Sequence, residues 1–486
     1  MPSLRVTWSD LDGSFEGALE ALRARIGVPA PFTAEQLDSI RATDPFASVR
    51  SDRTDIPLVT IDPQGSRDLD QALWIGRRDA GYRVVYAIAD VGSFVEPDSE
   101  LDRAVNERVV TLYFPDGSVP LHPPVLSADG ASLLPGEDRR AVLWDISLDR
   151  SGAVTRFDVS RSTVRSRRAL SYDEAQSEID RCLDLDAPLA LLREVGQLRI
   201  AAEFQRGGLQ LPLADQEIKR RKDGYRLTFR RSLPVEDWNA QVSLLTGMLA
   251  ADMMVGAGCG ILRTLPRPSE HVIDDLRRVA AALDIPWPKE RSYVEELNSL
   301  ALFEPADQAL AYQALKMFRG AGYSLIGATA AGHDTARAPK DDGTGTPPIH
   351  GAIAAPYAHV TAPLRRLVDR YANEIVLAIA AGRPVPEWVS SALPGLPTRM
   401  AEGAAKQSEC ERASVDLAEA CVLLDRVGQV LYGVVVSSDP SGSTIVIDQP
   451  AIMTRVKAAS LELGQVVSLR VAAVSAQNGS IELTPT

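Results

Sequence analysis

Three aspartates, Asp62, Asp68 and Asp70, fall within nine residues in the stretch TIDPQGSRDLDQAL (residues 60–73), directly behind the apolar run IPLV. Carboxylates that converge repel one another, and unless something positive compensates, one or more is driven toward its protonated form. The turn is therefore either solvated or built to hold a cation. About 290 residues later, the string YAHVTAPLRRLVDRYANEIVLAIAAGR places Leu364, Leu367, Val368, Tyr371, Ile375 and Ile379 at helical spacing. Thr361 is a candidate N-cap, and Pro363 suits a first turn, where its missing N–H is not needed. Arg365 and Arg366 then fall at the positive end of a helix dipole, an arrangement that calls for an anion such as a phosphate.

These residues need a scaffold, and the pattern along the chain supplies one. Residues 1–53 read as a small N-terminal helical element, with the helix-like segment FEGALEALRARIG and then VPAPFTAEQLDSIRA. In the latter, Thr33 stands three residues ahead of Gln36 as in a capping box. From 54 to about 165 strand signals dominate, in IPLVTID, QALWIG, YRVVYAIAD and RAVLWDISLD, the last alternating Val142, Trp144, Ile146 and Leu148 at period two. DSELDRAVNERVV between them predicts a helix, and from about 170 to 330 Ala-rich and Leu-rich runs make the chain mainly helical. The result is a mixed α/β (α+β) core over 54–385, with an aperiodic loop at 331–349. A connector and a long helix, the latter over about 401–427, fill 386–427. The tail, 428–486, holds about five strand-like runs separated by Ser, Gly, Asp and Asn, the pattern of a small closed OB-type barrel that binds single-stranded nucleic acid.

The chain has 486 residues, 45% hydrophobic and 24% charged, enough for a large core divided among two or three domains. The N-terminus lacks the pattern of a signal peptide and no run of about 18 apolar residues stands out, so a cytoplasmic protein with no membrane partner is expected. Cys182, Cys259, Cys410 and Cys421 have no CxxC spacing and read as packing residues. A net charge of −13 argues against a polyanionic partner at first sight. Yet basic clusters occur at 156–168, 219–231 and 363–370. Each is either a solvated face or part of a channel for a polyanion.

Taken in order, TIDPQGSRDLDQAL, then YAIADVGSFVEPDSELDRAVNERVVTLYFPDGSVPLHPPVLS, then YAHVTAPLRRLVDRYANEIV resemble the catalytic (RNB) domain of the RNase II/RNase R family of 3′ to 5′ exoribonucleases. The resemblance spans roughly 54–425 and extends to the tail, which is similar to that family's S1 barrel. It implies degradation of single-stranded RNA to nucleoside 5′-monophosphates with one or two Mg²⁺ ions, for which Mn²⁺ can substitute; a monomer is expected, although the sequence does not encode the oligomeric state. Asp62, Asp68 and Asp70 match the family's ion-holding aspartates, Arg365 the arginine at the scissile phosphate, with Arg366 beside it as a further substrate contact. Tyr113, in VVTLYFPDG, matches the aromatic residue that stacks on the terminal base. Tyr172 resembles a residue that reads the ribose 2′-OH, and Glu411 a glutamate near the terminal nucleotide. His359 and Asp90 read as structural.

The chain also departs from that pattern. Gln71 stands where a fourth aspartate is common, leaving an amide as candidate ligand; TAPLRR has Ala362 where the family has a hydroxyl; and Leu211 occupies the place of a second base-clamping aromatic. The family's larger members carry two cold-shock barrels ahead of the catalytic domain, which 53 residues cannot encode. A catalytically weakened RNA-binding protein on the same scaffold is the rival reading. A phosphoesterase for small molecules fits the barrel and basic clusters poorly.

Overall fold

The computed structural model describes residues 6–8 and 14–486 apart from 212, 223, 303, 328–346 and 458–460. The loop expected over 331–349 lies outside the described residues as far as 346. The N-terminal segment comprises β1 (Val6–Trp8), α1 (Ser14–Ile26) and α2 (Ala34–Asp38). The capping box at the start of α2 is formed, with Gln36 N donating to Thr33 Oγ1 at 3.3 Å and Thr33 N donating to Gln36 Oε1 at 3.0 Å. This segment is not purely helical. β1 pairs antiparallel with a strand more than 200 residues away, Val6 opposite Leu227, a partnership that no local pattern encodes.

The expected strands form one sheet. After β2 (Ser51–Asp52) come β3 (Leu58–Asp62), β4 (Gln71–Arg78) and β5 (Gly81–Ala89). Then follow α3 (Glu100–Arg108), the hairpin β6 (Leu112–Phe114) and β7 (Gly117–Val119), β8 (Asp138–Leu148) and the 18-residue β9 (Val154–Ser171). The order is β2-β9-β3-β4-β5-β8. The first part of β9 pairs antiparallel with β8 and its end runs parallel to β3, so the sheet closes on itself. That closure delivers the C-terminal end of β3, with Asp62, beside Ser171 at the end of β9.

The helical middle follows as α4 (Tyr172–Arg181), α5 (Pro188–Arg206), the hairpin β10 (Asp215–Arg221) and β11 (Gly224–Arg230), and α6 (Pro234–Ala257). Next are β12 (Gly260–Thr264), α7 (Glu270–Ala282), α8 (Tyr293–Asn298), α9 (Pro305–Ala314) and β13 (Gly322–Ile326). α6 is long and apolar enough on average to cross a bilayer, which a search for uninterrupted apolar runs misses. Half of its most apolar window is buried inside the protein, and its Gly247 lies so close to Tyr357 that a Cβ would sit 2.2 Å from the ring. It is a core helix that roofs the end of the sheet.

The segment after 346 differs from expectation at its start. The helix α10 runs Leu367–Ala380, so Arg365 and Arg366 precede it rather than filling its first turn. The backbone of 361–366 is captured by other partners: Ala362 N donates to Asp369 Oδ1 at 2.7 Å, Thr111 N donates to Arg365 O at 3.1 Å, and Arg366 bridges Val110. Tertiary hydrogen bonds have outcompeted helix propagation. α11 (Glu387–Ala392) leads to α12 (Leu396–Leu423), which starts earlier than expected, with Pro397 in its first turn.

The tail forms β14 (Val430–Asp439), β15 (Gly442–Ile447), β16 (Ile452–Val456), β17 (Val466–Ser475) and β18 (Ser480–Pro485). They make a curled antiparallel sheet of order β16-β15-β14-β17-β18, an S1/OB-like near-barrel. α12 joins this barrel to the rest. Gly403 lets the helix approach Val109, where a Cβ would meet Cγ1 at 2.8 Å, and Cys410 Sγ donates to Tyr113 O at 3.3 Å. At its far end the buried Glu419 Oε1 accepts from Gln216 Nε2 of β10 and from Met453 N of β16, both at 2.6 Å. Cys410 and Cys421 are buried in this helix, while Cys182 and Cys259 are half-buried.

Part of each basic cluster is paired with carboxylates. In β9, Arg161 points inward to Asp90 and Glu374, while Arg165 and Arg168 pair outside with Asp138 and Glu178. In the β10–β11 hairpin, Arg220 meets Glu16 and Arg230 meets Glu236.

Candidate active site

The connection 63–70 between β3 and β4 is pinned rather than loose. Leu69 is buried, its N–H donates to Ser132 Oγ at 3.0 Å, and its carbonyl accepts from Leu133 N at 3.0 Å. Ser132 Oγ in turn donates to Arg67 O at 2.6 Å. With Leu69 anchored, Asp68 and Asp70 on either side are fixed, and Asp62 is set by the end of β3.

Asp70 is 4% exposed; its Oδ1 accepts from Leu364 N at 2.7 Å, and its Oδ2 lies 3.7 Å from Arg365 Nε. Asp62 Oδ2 is buried with no hydrogen-bond partner. Burial pushes the Asp62 carboxyl from an ordinary 3.8 up to about 7, with Arg365 opposing and Asp68 adding to the rise. Burial likewise drives Asp70 well above the usual carboxylate range, against the pull of Arg365 and the Leu364 N–H and with Asp369 and Asp68 adding to the rise. Asp68 accepts from the hydroxyl of Tyr113 at 2.8 Å. Tyr113 itself, on β6, is 38% exposed, so it stands at the edge of the site and not in the core.

Tyr172 opens α4 behind the capping box of Ser171 and Glu174. Its hydroxyl is pushed up to about 12, first by burial and then by the charges of Asp62 and Glu236, while Arg365 and Arg230 oppose. It therefore belongs to the same charged pocket. Arg365 pairs with Asp70 and is half-exposed, so part of its guanidinium is open to an anion from solvent. The structure thus brings Asp62, Asp68, Asp70, Arg365, Tyr113 and Tyr172 together.

Two expected residues are tied to partners within the protein. Arg366 is half-buried, and its Nε and Nη2 donate to Asp369 at 2.9 and 2.8 Å, so these two donors are taken up by the fold. Glu411 lies exposed on α12, accepting from Gln407 at 2.8 Å, next to Cys410, whose Sγ reaches Tyr113 O. Gln71 donates through Nε2 to Thr361 O at 2.6 Å and accepts at Oε1 from the hydroxyl of Tyr86, which commits both ends of its amide. Leu211 packs at the margin of the α7–α9 apolar cluster.

Hard oxygen donors with an orphaned, buried carboxylate atom fit a divalent cation of the Mg²⁺ type. Among the described residues no three His, Cys, Asp or Glu side chains close on one point. The set therefore suits an ion that takes one or two carboxylates and completes its shell with water.

The RNB domain family model matches residues 50–382, and that of the RNase II-type exonuclease C-terminal S1 domain matches 429–486. The chain belongs to the RNB family. Ribonuclease R of Escherichia coli is 26% identical over 441 residues, covering 85% of this chain and 52% of that protein. Exoribonuclease 2 of Aeromonas hydrophila is 25% identical over 348 residues, covering 69% and 49%. The chain spans about half the length of the curated relatives it matches. Among solved structures, Mycoplasma genitalium RNase R in complex with ribose-methylated single-stranded RNA superposes with a TM-score of 0.83 at 18% identity, covering 97% of this chain and 78% of that one. Yeast Ssd1, a pseudonuclease, matches with 0.66 at 17%, covering 94% and 54%. Both show the fold.

Within this RNB domain, His359 is half-buried and its Nδ1 meets the Tyr323 hydroxyl at 2.8 Å. Burial, reinforced by Arg366 and Arg263, holds the ring well below its usual pKa and neutral, as a structural partner. Sequence reasoning missed Asp369, Tyr86 and Ser243. Asp369 had a signal, three residues after Arg366 at the start of a helix. Tyr86 and Ser243 had none, since their partners come from distant segments.

Proposed function

We propose that this RNB chain hydrolyses single-stranded RNA from its 3′ end and releases nucleoside 5′-monophosphates. The observation that carries the reading is the pocket in which Asp62, Asp68 and Asp70 face Arg365, with one buried Asp62 oxygen left without any partner. Arg365 neutralises charge that builds on the scissile phosphate. Tyr113, held by Asp68, offers a stacking face that every base can use, so cleavage does not depend on sequence. Tyr172 reads the ribose, where a 2′-OH separates RNA from DNA. Asp62, Asp68 and Asp70 would hold Mg²⁺, each ion taking one or two of these carboxylates and completing its shell with water; a bound ion would supply Lewis acidity and ease the ionisation of water.

The test is purified protein with 5′-labelled single-stranded RNA and Mg²⁺. A ladder shortening from the 3′ end is expected. Asp70→Asn should lower cleavage by about 10³-fold or more while RNA affinity stays within a few fold, because phosphate contacts away from the reacting group supply most of it. A gel shift without products in the parent protein would instead support an RNA-binding protein on the same scaffold.

A further inference from the structure

Gln71 sits one residue after Asp70, at the first position of β4, and the two side chains reach the same segment. Asp70 O continues the strand ladder by accepting from Ala89 N at 2.9 Å, so residues 70 and 71 are both extended and their side chains leave on opposite faces. Asp70 Oδ1 takes the N–H of Leu364 and Gln71 Nε2 takes the carbonyl of Thr361. Two neighbouring side chains thus grip both ends of 361–364.

The Gln71 contact belongs to a cluster of polar groups. Tyr86 donates to Gln71 Oε1, Gln71 Nε2 donates to Thr361 O, the Thr361 and Ser243 hydroxyls lie 2.8 Å apart, and the Ser243 hydroxyl acts on that of Tyr86. Gln71 accepts at one end and donates at the other, which an amide can do and a carboxylate cannot. A carboxylate at 71 has no proton for the Thr361 carbonyl and would set a second negative group against it. Arg365 leaves the chain directly after this segment, with its N–H on Ala362 O and its carbonyl on Thr111 N.

From this geometry we infer that Gln71 is a positioning residue for Arg365 and not a ligand of the ion: it seats the 361–364 turn from which the arginine reaches the scissile phosphate. The inference rests on the proposed nuclease reading for its kinetic consequence alone. The ion is left to the aspartates, and an aspartate at 71 would remove the donor that holds the Thr361 carbonyl.

The experiment compares Gln71→Glu, Gln71→Leu and Tyr86→Phe with the parent in three measurements. In RNA cleavage, both Gln71 variants should lose about 10- to 100-fold in kcat with KM within about threefold, the scale expected when a reacting group is displaced by about an ångström. Tyr86→Phe, which keeps the Gln71 to Thr361 bond, should lose less. In an Arg365→Ala background, Gln71→Leu should cost nothing further, a non-additivity that a general loss of packing does not give. Without RNA, hydrogen exchange of the Leu364 and Arg365 amides should quicken in the Gln71 variants, and Mn²⁺ affinity read by electron paramagnetic resonance should stay within about twofold, since ligand charge is unchanged at the ion. Mn²⁺ affinity that falls tenfold in Gln71→Leu and rises in Gln71→Glu would overturn the inference in favour of a ligand. Unaltered exchange at 361–366 together with parental kcat would overturn it as well. A parent protein that leaves RNA intact defeats the nuclease reading, while the exchange and Mn²⁺ measurements still decide the role of Gln71.

Discussion

Asp90 and Asp70 flank the same end of the closed sheet and are almost equally hidden, 2% and 4% exposed, yet their carboxyl groups are driven in opposite directions. Burial works to raise both. At Asp90 it is overcome by Arg161 at 3.1 Å, Arg50 at 2.8 Å and the Ser93 hydroxyl at 2.5 Å, so the group is held below the usual range. Arg50 continues to Asp44 and Arg161 to Glu374, which ties the N-terminal segment, β5, β9 and α10 into one satisfied network. At Asp70 there is one N–H and an arginine at 3.7 Å, shared with Asp62. Buried carboxylates with two cations apiece are architecture; three carboxylates with half-exposed Arg365 between them are an unfinished site, completed by what binds there.

The sharpest way to break this contrast is to neutralise one member of each set. Asp62→Asn should lower RNA cleavage by about 10³-fold or more, because it removes a donor for the ion. Its thermal stability at pH 8 should hold or rise, since an uncompensated buried anion is lost. Asp90→Asn should do the reverse, costing about 3–5 kcal/mol of stability by leaving two buried arginines short of a partner. Urea unfolding and single-turnover cleavage of both variants check the pair, and equal stability losses would dissolve the distinction.

A smaller effect concerns pH. The folded Asp62 carboxyl, raised to about 7 from 3.8, favours the folded state fully below about pH 4 and loses that contribution as pH rises through 7. Ion-free protein should therefore melt at a lower temperature at pH 8 than at pH 6. Saturating Mg²⁺ should narrow the gap, and so should Asp62→Asn. A gap of the same size in all three samples would place its origin elsewhere, for instance at Glu419, whose buried carboxyl is pushed up to about 8.

What was legible in the sequence follows the range of the interactions involved. The Thr33–Gln36 capping box, the strands on either side of the aspartates and the five strands of the tail are local patterns, and they appear where the pattern puts them. The aspartates and Arg365 were readable because two short strings carry them. The start of α10 was misplaced because Asp369 and Thr111 take up the backbone of 361–366, which turns a plausible helical first turn into a bracket. Arg366 pairs with Asp369 only three residues on, a local spacing that could have been read from the sequence. β1 against β11, and Gln71 against Tyr86 and Thr361, are pairings between segments far apart in sequence, which periodicity does not report.

The helix α12 sets a limit on how this protein can be recombined. One end of it supports the carbonyl of Tyr113 and packs a glycine on Val109; the other presents Glu419 to the backbone of the barrel. A barrel grafted from another chain would have to supply an N–H in the place of Met453 or leave that carboxyl short of a donor. The tail is thus no exchangeable bead on a string. Barrel, helix and the tyrosine-bearing hairpin are joined through these contacts, and change in any of them is constrained by the other two.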